Sequence, residues 1–288
     1  MIPTRRFGPT GRDVPILGQG TWQLRDKAAA LDALRVGLDL GMTHVDTAEL
    51  YTGSEEVVGQ AIAGRKRDEI FLVSKVLPQH ASYEGTLRAC DASLARLGTS
   101  YLDVYLQHWN DGSFPIAETM RAMGTLIDQG KIRFAGVSNF DVDELAEAKS
   151  ALGKHRLACN QVLYHLGARG IESDVLPWCK KNGVAVVGYS PFGSRGGFPT
   201  GKAGRALEEV ARRLGKTPRQ VTLAFLARDE SVFLIPKAEK SEHVRENAGG
   251  AFALPKDALA TLDEAYAIAE AHGARAILGY IEQARTEI

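Results

Sequence analysis

The sequence predicts an α/β protein with the (β/α)8 or TIM-barrel fold, an N-terminal β-hairpin and two added helices. Short apolar runs alternate with helix-like segments along most of the chain. Most successive runs end about 25 to 32 residues apart, which is the length of one βα unit. The 288 residues therefore hold eight such units in one domain, since a barrel of this type needs about 250 residues.

The segment 1–17 is predicted to be the N-terminal hairpin. In residues 4–17, TRRFG and DVPILG flank PTGRD, in which Pro, Gly and Asp favour a turn. The apolar run that ends in GQGTW predicts the first barrel strand, near residues 16–20.

The other seven barrel strands are predicted from short runs rich in Val, Ile, Leu and Phe. These runs are mostly apolar on both faces, which is typical of a parallel sheet covered by helices. They lie at 43–46, 70–74, 101–107, 132–137, 158–163, 184–188 and 232–235.

Helices are predicted from apolar residues that recur every three or four positions. In 82–98 this spacing places five residues on one face, with Ser82 as the cap and Gly98 at the end: Tyr83, Leu87, Cys90, Leu94 and Leu97. Similar patterns predict helices at 27–40, 54–64, 115–130, 141–151, 172–182 and 217–228. The added helices are predicted at 203–214 and 257–271, before a C-terminal tail at 273–288.

Composition excludes several classes of function. Lys+Arg and Asp+Glu are both 35, so we expect no nucleic-acid surface. We expect neither a membrane span nor a signal peptide, because no long apolar window is present. Three cysteines without CxxC spacing favour reduced thiols and a cytoplasmic location, and we expect a monomer. The seven histidines lack metal-ligand spacing, so no metal site is predicted.

Four ionisable residues lie at or just after the ends of three successive predicted strands. Asp46 closes THVD, Tyr51 follows in DTAELY, Lys75 ends IFLVSK and His108 ends YLDVYLQH. Barrel enzymes place catalytic residues at this end of their strands. An ammonium lowers the pKa of a nearby phenol, so we expect Lys75, held by Asp46, to tune Tyr51 as a proton donor. His108 would then orient a carbonyl oxygen.

Each of these residues also has a structural interpretation. Asp46 is of a type that caps helices or forms turns, Lys75 is compatible with a solvated strand end, and His108 with a partly buried side chain. His44, inside a predicted strand, is interpreted as a core or structural hydrogen-bonding residue. Four ionisable groups on three consecutive strand ends nevertheless favour a catalytic site.

Several motifs in order resemble those of the aldo-keto reductase family, in a bacterial-type form with short loops. They are VDTAELY, FLVSK, LQHW, GVSNF, NQVLYH, GYSPF and IPKA, and the resemblance extends to about residue 263. It implies an NAD(P)H-dependent carbonyl reductase. In it Tyr51 would be the proton donor, Lys75 and Asp46 would support the tyrosine, and His108 would orient the substrate.

The resemblance also implies where a nicotinamide cofactor binds, although no strand is followed by GxGxxG. Ser138, Asn139 and Gln161 would bind the carboxamide, since amide side chains match its donors and acceptor. Tyr189 would stack on the nicotinamide ring. The loop that contains Ser190, Gly193 and Ser194 would contact the pyrophosphate. As alternatives, SNF is a helix cap and SPFGS an ordinary connection.

The cofactor's 2′-phosphate is expected near residues 237–247. Lys237 follows the last strand and Ser241 is predicted to cap the next helix, and together they form an anion site. The family pattern is K-S-x-x-x-x-R-x-x-E-N, and this chain has Ala238 for Ser and His243 for Arg. Asn247 matches the family's adenine contact.

The missing arginine bears on cofactor preference. Arginine binds phosphate through two parallel hydrogen bonds, whereas histidine replaces it only in part. Lys240 is a candidate to compensate. NADPH is the favoured cofactor, with NADH or dual use as the alternative.

Trp22, Tyr51, His108 and Trp109 are predicted to line the substrate pocket. Aromatic walls suit small, partly apolar carbonyl compounds. The loop after His108 and the tail are both short, which favours an open pocket for 2-oxoaldehydes or for aromatic or aliphatic aldehydes. As an alternative, either tryptophan plugs the barrel mouth, and whether the tail covers the pocket is left open.

Two other functions remain alternatives at this point. A strand-end lysine in a barrel also fits a Schiff-base aldolase that uses Lys75. A barrel that binds NADPH without catalysis would fit a regulatory subunit. Borohydride trapping on Lys75 would identify the first, and NADPH binding without aldehyde reduction the second.

Overall fold

The structure is a computed structural model that describes residues 2–193 and 198–267. Predictions that concern Ser194, the end of the 257–271 helix and the tail at 273–288 therefore lie outside the described residues.

The N-terminal hairpin closes one end of the barrel. Strand β1 (Thr4–Arg6) pairs antiparallel with β2 (Asp13–Pro15), and a short 3-10 turn lies between them. The turn brings Phe7 to the barrel axis, where its ring centroid lies 4.7 Å from those of Phe71 and Phe233. Burial of these rings seals the end of the barrel opposite to the strand ends that carry Asp46 and Lys75. The predicted hairpin is confirmed.

Eight parallel strands follow in sequence order around the barrel. They are β3 (Gln19–Gly20), β4 (His44–Asp46), β5 (Phe71–Val76), β6 (Leu102–Gln107), β7 (Ile132–Ser138), β8 (Leu157–Leu163), β9 (Ala185–Tyr189) and β10 (Val232–Leu234). The first and last are joined by main-chain hydrogen bonds: Gly18 N–H donates to Leu234 O at 2.7 Å, and Leu234 N–H donates to Ile16 O at 2.9 Å. These bonds close the sheet, so the predicted (β/α)8 barrel is confirmed.

The predicted strand positions agree closely with the structure. Two differences affect the site, because β5 continues through Val76 and β7 includes Ser138. Lys75 therefore lies inside its strand, where pairing with Leu106 of β6 fixes its main chain.

The helices cover the outside of the barrel. They are α1 (Lys27–Asp39), α2 (Ser54–Ile62), α3 (Tyr83–Leu97), α4 (Ile116–Asp128), α5 (Val142–Ala151), α6 (Val175–Asn182), α7 (Gly201–Leu214), α8 (Pro218–Leu226), α9 (Ser241–Ala248) and α10 (Lys256–Ala265). The two added helices are α7 and α10. Over the described residues, none of these helices combines the length and the apolar character needed to cross a bilayer.

The helix ends show how well the capping rules predict where each helix begins. Ser82 caps α3 as predicted, since its Oγ accepts a hydrogen bond from Gly85 N–H at 3.1 Å. Two expectations were wrong. The cap of α9 is Lys240, without a side-chain bond, so Ser241 is the first helical residue. Helix α6 begins at Val175, because residues 170–172 form a separate 3-10 turn.

The hairpin end of the barrel also holds a buried ionic cluster. Asp103, near the start of β6, contacts Arg12 at 3.1 Å and Arg67 at 2.9 Å, and its Oδ2 accepts a hydrogen bond from Leu72 N–H at 3.0 Å. A buried carboxylate stays charged only when cations and hydrogen-bond donors compensate the loss of its hydration. This cluster joins the hairpin to β5 and β6 at the end of the barrel opposite to Asp46 and Lys75.

Candidate active site

The four strand-end residues converge at the C-terminal end of the barrel. Lys75 Nζ lies 2.6 Å from Asp46 Oδ1, 2.8 Å from Thr47 O and 3.4 Å from Tyr51 OH. Tyr51 OH in turn lies 3.5 Å from His108 Nε2. The structure therefore brings together all four residues that the sequence analysis singled out.

The loop after β4 positions Tyr51. A turn in which Tyr51 N–H donates to Ala48 O at 3.0 Å folds the chain back over Lys75, and Ser54 N–H donates to Tyr51 O at 2.8 Å. The Ser54 hydroxyl also donates to Thr21 O at 3.0 Å, which ties this loop to the end of β3. The main chain of Tyr51 is thus held by hydrogen bonds at both its N–H and its C=O.

Burial decides between the two interpretations of Asp46 and Lys75. Asp46 is 1% exposed and Lys75 0% exposed. Asp46 caps no helix, because the cap of α2 is Gly53. The turn-former and solvated-end interpretations are therefore wrong for these two residues.

The Asp46–Lys75 pair is a buried ion pair with further partners. Burial raises the pKa of Asp46 and lowers the pKa of Lys75, and their contact opposes both changes. Gln161 Nε2 donates to the second Asp46 oxygen at 2.7 Å. All three hydrogens of the Lys75 ammonium have an acceptor within reach. These contacts favour the charged forms of both groups.

The pKa of Tyr51 differs from the expectation. Desolvation of its hydroxyl and the charge of Asp46 raise the pKa of Tyr51 well above its ordinary value. The expected lowering by Lys75 is therefore wrong for this geometry, because Asp46 is the nearest partner of Lys75. The phenol is protonated at neutral pH, which is the form that a proton donor needs.

His108 is buried, and its imidazole is neutral. Desolvation and the charge of Lys75 lower the pKa of His108 well below its ordinary value. Nε2 faces Tyr51, and Nδ1 has no hydrogen-bond partner within residues 2–193 and 198–267. A neutral imidazole at this position can donate one N–H to an oxygen placed beside Tyr51.

The predicted carboxamide-binding residues lie next to this centre. Asn139 Nδ2 donates to His108 O at 3.2 Å and to Ser138 Oγ at 3.1 Å, and Tyr189 OH donates to Asn139 Oδ1 at 2.9 Å. The helix-cap interpretation of SNF is wrong, because Asp141 caps α5.

Three non-glycine residues near the strand ends have left-handed backbone conformations. They are Gln23 with φ 51°, Asn139 with φ 61° and Ser190 with φ 51°. Asn139 directly follows β7 and Ser190 directly follows β9. Such residues carry backbone strain, which elsewhere in proteins concentrates at binding and catalytic sites.

Aromatic side chains line one side of the site. The ring centroids of Trp22 and Tyr51 are 4.9 Å apart, and those of His108 and Trp109 are also 4.9 Å apart. Trp109 packs with Leu77 and Leu50. The predicted wall of Trp22 and Trp109 is therefore present beside the phenol and the imidazole.

Two acidic residues that make specific contacts in the structure were not predicted from the sequence. Glu49 Oε1 accepts a hydrogen bond from Leu77 N–H at 2.5 Å and lies 3.1 Å from His80 Nδ1. Glu55 is buried, where it accepts hydrogen bonds from Ser74 Oγ and Arg96 Nε, each at 2.6 Å. Both lie in segments that look solvent-facing in sequence, so no local pattern distinguishes them.

The predicted phosphate-binding residues lie on the β10–α9 segment, apart from the four strand-end residues. Lys237 forms an ion pair with Glu239, whose carboxylate also accepts a hydrogen bond from Arg25 N–H at 3.1 Å. Desolvation raises the pKa of Glu239, but Lys237 and the main-chain donors outweigh it, and the pKa is lowered.

Two further basic residues of this segment also lie near an acid. Lys240 and His243 lie 3.9 and 3.7 Å from Glu242. Ala238 is partly buried against the core, and Asn247 on α9 is buried. Within the part of the chain that the structure describes, none of these residues bonds to Tyr51 or His108.

Over the same described residues, no group of three His, Cys, Asp or Glu is arranged to hold a metal ion.

The sequence is similar to known proteins over most of its length. A family model described as "Aldo/keto reductase family" matches residues 16–267. The chain is 45% identical over 261 residues to methylglyoxal reductase YeaE of Escherichia coli (strain K12), which covers 88% of this chain and 91% of the relative. It is 34% identical over 240 residues to a glyoxal reductase of Bacillus subtilis (strain 168), with 83% of each chain covered.

A solved structure supports the same relation. It is an aldo/keto reductase from Klebsiella pneumoniae in complex with NADP and acetate, with a TM-score of 0.85 and 42% identity. The match covers 94% of this chain and 97% of that protein.

Proposed function

This chain belongs to the aldo/keto reductase family, and from that premise we propose that it is an NADPH-dependent reductase of small aldehydes and ketones. The observation that carries the proposal is the cluster of Tyr51, Lys75, Asp46 and His108, in which a protonated phenol and a neutral imidazole lie side by side. Both groups can bind the same carbonyl oxygen, and the ammonium lies behind the phenol.

The residues around this cluster fit a nicotinamide cofactor. The side chains of Ser138, Asn139 and Gln161 supply hydroxyl and amide groups beside His108, and these match the donors and acceptor of a carboxamide. When bound, a reduced nicotinamide supplies hydride to a carbonyl carbon. The Klebsiella pneumoniae relative contains NADP, which supports the same class of cofactor here.

The chain's own groups handle the proton and the charge. His108 Nε2–H and Tyr51 O–H bind the carbonyl oxygen, and charge develops on that oxygen as the carbon is reduced. Tyr51 then transfers its proton to the oxygen. The Lys75 ammonium stabilises the phenolate that remains, and Asp46 holds the ammonium in place.

The substrate is proposed to be a small 2-oxoaldehyde or a similar aldehyde. Two relatives are named for methylglyoxal and glyoxal, which are compounds of this class. The wall formed by Trp22, Leu50, Leu77 and Trp109 offers apolar contact for a short carbon chain.

The aldolase alternative is disfavoured by the contacts of Lys75. A Schiff base requires a free amine lone pair, but Nζ donates to Asp46 and Thr47 O and lies within reach of Tyr51 OH. The regulatory alternative is disfavoured because the full set of catalytic side chains is present.

We further propose that the enzyme is cytosolic and works as a monomer. Light scattering after size exclusion tests the monomeric state.

Replacement of the proton donor tests the proposal. For Tyr51→Phe we expect kcat with methylglyoxal and NADPH to fall by about 10²- to 10⁴-fold, which is the usual contribution of a general acid. The Kd of NADPH, measured by fluorescence titration, should stay within about two-fold, since the phenol contributes no binding charge.

Tyr105→Phe is the matched control, because Tyr105 is a buried tyrosine of β6 in the outer core. It should retain wild-type kcat. Full activity of Tyr51→Phe would remove Tyr51 from the donor role. A wild-type protein that binds NADPH but reduces no aldehyde would favour the regulatory alternative.

A further inference from the structure

Arg219 is a cation at the start of α8 that stacks on two aromatic rings. Its guanidinium carbon lies 4.7 Å from the ring centroid of Phe192 and 5.6 Å from that of Phe198. The two rings are themselves 6.4 Å apart. Phe192 lies in the segment that follows β9, so Arg219 is fixed against this segment.

The next residue along α8 connects to α9. Gln220 Nε2 donates to Glu246 O at 3.1 Å. The contact with the end of α9 is close, since a Cβ added to Gly249 would lie 2.3 Å from the same nitrogen. The start of α8 is also fixed by a capping box between Thr217 and Gln220. Arg219 therefore contacts the segment after β9, and its neighbour Gln220 contacts helix α9.

Barrels of this type commonly bind phosphate at this place. The usual site is formed by the loops after the seventh and eighth strands and by the N-terminus of a following helix. Here the seventh and eighth barrel strands are β9 and β10, and the helix is α9. Arg219 stacks on Phe192 in the first loop, and its neighbour Gln220 bonds to Glu246 O near the C-terminal end of α9.

The basic residues predicted for the phosphate are compensated by acids. Lys237 pairs with Glu239, and both Lys240 and His243 lie near Glu242. Arg219 differs, since it has no ion pair and no hydrogen bond with any residue in 2–193 or 198–267. Stacking leaves the N–H edge of a guanidinium open for two parallel hydrogen bonds to a phosphate.

We propose that Arg219 binds the 2′-phosphate of NADPH and so supplies the guanidinium that His243 lacks. The proposal rests on the proposed function, and it names the residue that sets the preference for NADPH over NADH. The 2′-phosphate is favoured over the pyrophosphate because Gln220, the next residue after Arg219, bonds to Glu246 O, one residue before Asn247, which is assigned to the adenine. The pyrophosphate is common to both cofactors, so the two assignments differ in a measurable ratio.

The test compares cofactor affinities of Arg219 variants. The Kd values of NADPH and NADH are measured by fluorescence titration for the wild type, Arg219→Ala and Arg219→Lys. For Arg219→Ala we expect NADPH to bind about 10-fold more weakly, as for loss of one charge-assisted contact, and NADH to change by less than about two-fold. Arg219→Lys should give an intermediate loss, since it keeps the charge without the planar fork.

Arg121→Ala is the matched control, because Arg121 also lies over an aromatic ring, 5.9 Å from the centroid of Tyr83, but on α4. It should leave both Kd values unchanged. Equal weakening of NADPH and NADH by Arg219→Ala would overturn the proposal in favour of loop anchoring or pyrophosphate contact, and no change would overturn it outright. If the wild type binds neither cofactor, the proposed function itself fails.

Discussion

The Lys75 ammonium shows how single residues determine this site. Each of its hydrogens has an acceptor within reach, and Asp46 in turn receives a second hydrogen bond from Gln161. Removal of one partner leaves a buried charge without compensation, which is far more costly than the pair is favourable. The precise placement of Tyr51 therefore depends on residues that need not touch the substrate.

His44 provides a test at a residue outside the site. It is fully buried between the rings of Phe7 and Phe71, both of its ring nitrogens lack partners within the described residues, and its pKa is lowered to about 3 by desolvation and by the charge of Lys75. Of the two predicted roles the core role holds, and the hydrogen-bonding role is wrong. As pH falls from about 6.5 to about 3, the unfolded chain binds a proton that the folded chain excludes, so stability falls with pH.

For His44→Leu we expect a weaker loss of stability with acid. The difference in slope should approach about 1.4 kcal/mol per pH unit over this window, on the order of 4 kcal/mol in total. Urea unfolding at several pH values measures it. His155→Gln, on an outer segment, is the control. Parallel pH profiles for the wild type and His44→Leu would contradict the assignment.

The convergence of the residues proposed as catalytic could be predicted because the ends of parallel strands meet at one end of a barrel. The sequence therefore predicts that Asp46, Lys75 and His108 lie in one site. The raised pKa of Tyr51 could not be predicted, because it depends on how far the hydroxyl is desolvated and on which partner lies nearest to Lys75. Arg219 belongs to no recognisable motif, so its proposed role follows only from its packing against Phe192 and Phe198.

Helices and strands were predicted well where periodicity and caps agree, as in α3. They were predicted less well where one cap rule acted alone, as for Ser241, which the structure makes the first residue of α9. The capping box that starts α5 is a clear local device. Asp141 Oδ1 accepts a hydrogen bond from Glu144 N–H at 2.9 Å, and Glu144 Oε2 accepts one from Asp141 N–H at 3.1 Å.

Loss of this cap should destabilise the element that follows Asn139. For Asp141→Ala we expect the free energy of unfolding to fall by about 1 kcal/mol, since one orphan N–H group loses its acceptor. Urea unfolding measures the change. Asp143→Ala removes the same charge from the first turn without the cap bond, and it should have a smaller effect. Equal effects of the two variants would assign the loss to charge alone.

Across the whole molecule, the proposed catalytic site and the ionic cluster around Asp103 lie at opposite ends of the barrel. The four residues proposed as catalytic lie at the C-terminal ends of the strands, and the Asp103 cluster lies at the hairpin end. The alternation of strands and helices was enough to predict this general layout. The partners of Asp103 were not predictable, since Arg12 and Arg67 lie far from it in sequence.

Asp103→Ala tests this separation. It leaves Arg12 and Arg67 without their buried partner, so we expect the free energy of unfolding to fall by roughly 3 kcal/mol. At a temperature where the variant is folded, kcat and KM should stay within about two-fold of wild type, because the site is at the other end. Asp128→Asn affects only contacts of an exposed carboxylate with Lys154 and His155, and it should not change stability measurably. A large loss of kcat in folded Asp103→Ala would show that the two ends are coupled.

The left-handed conformations of Gln23, Asn139 and Ser190 have a consequence for attempts to make this protein more heat-resistant. Such a conformation costs a non-glycine residue about 1 to 3 kcal/mol, and glycine would relieve most of that cost. A screen that scores only survival after heating would therefore collect glycines at these three positions. It would do so by removing the Asn139 side chain, which joins His108 to Tyr189, so the most durable variants should be among the slowest catalysts.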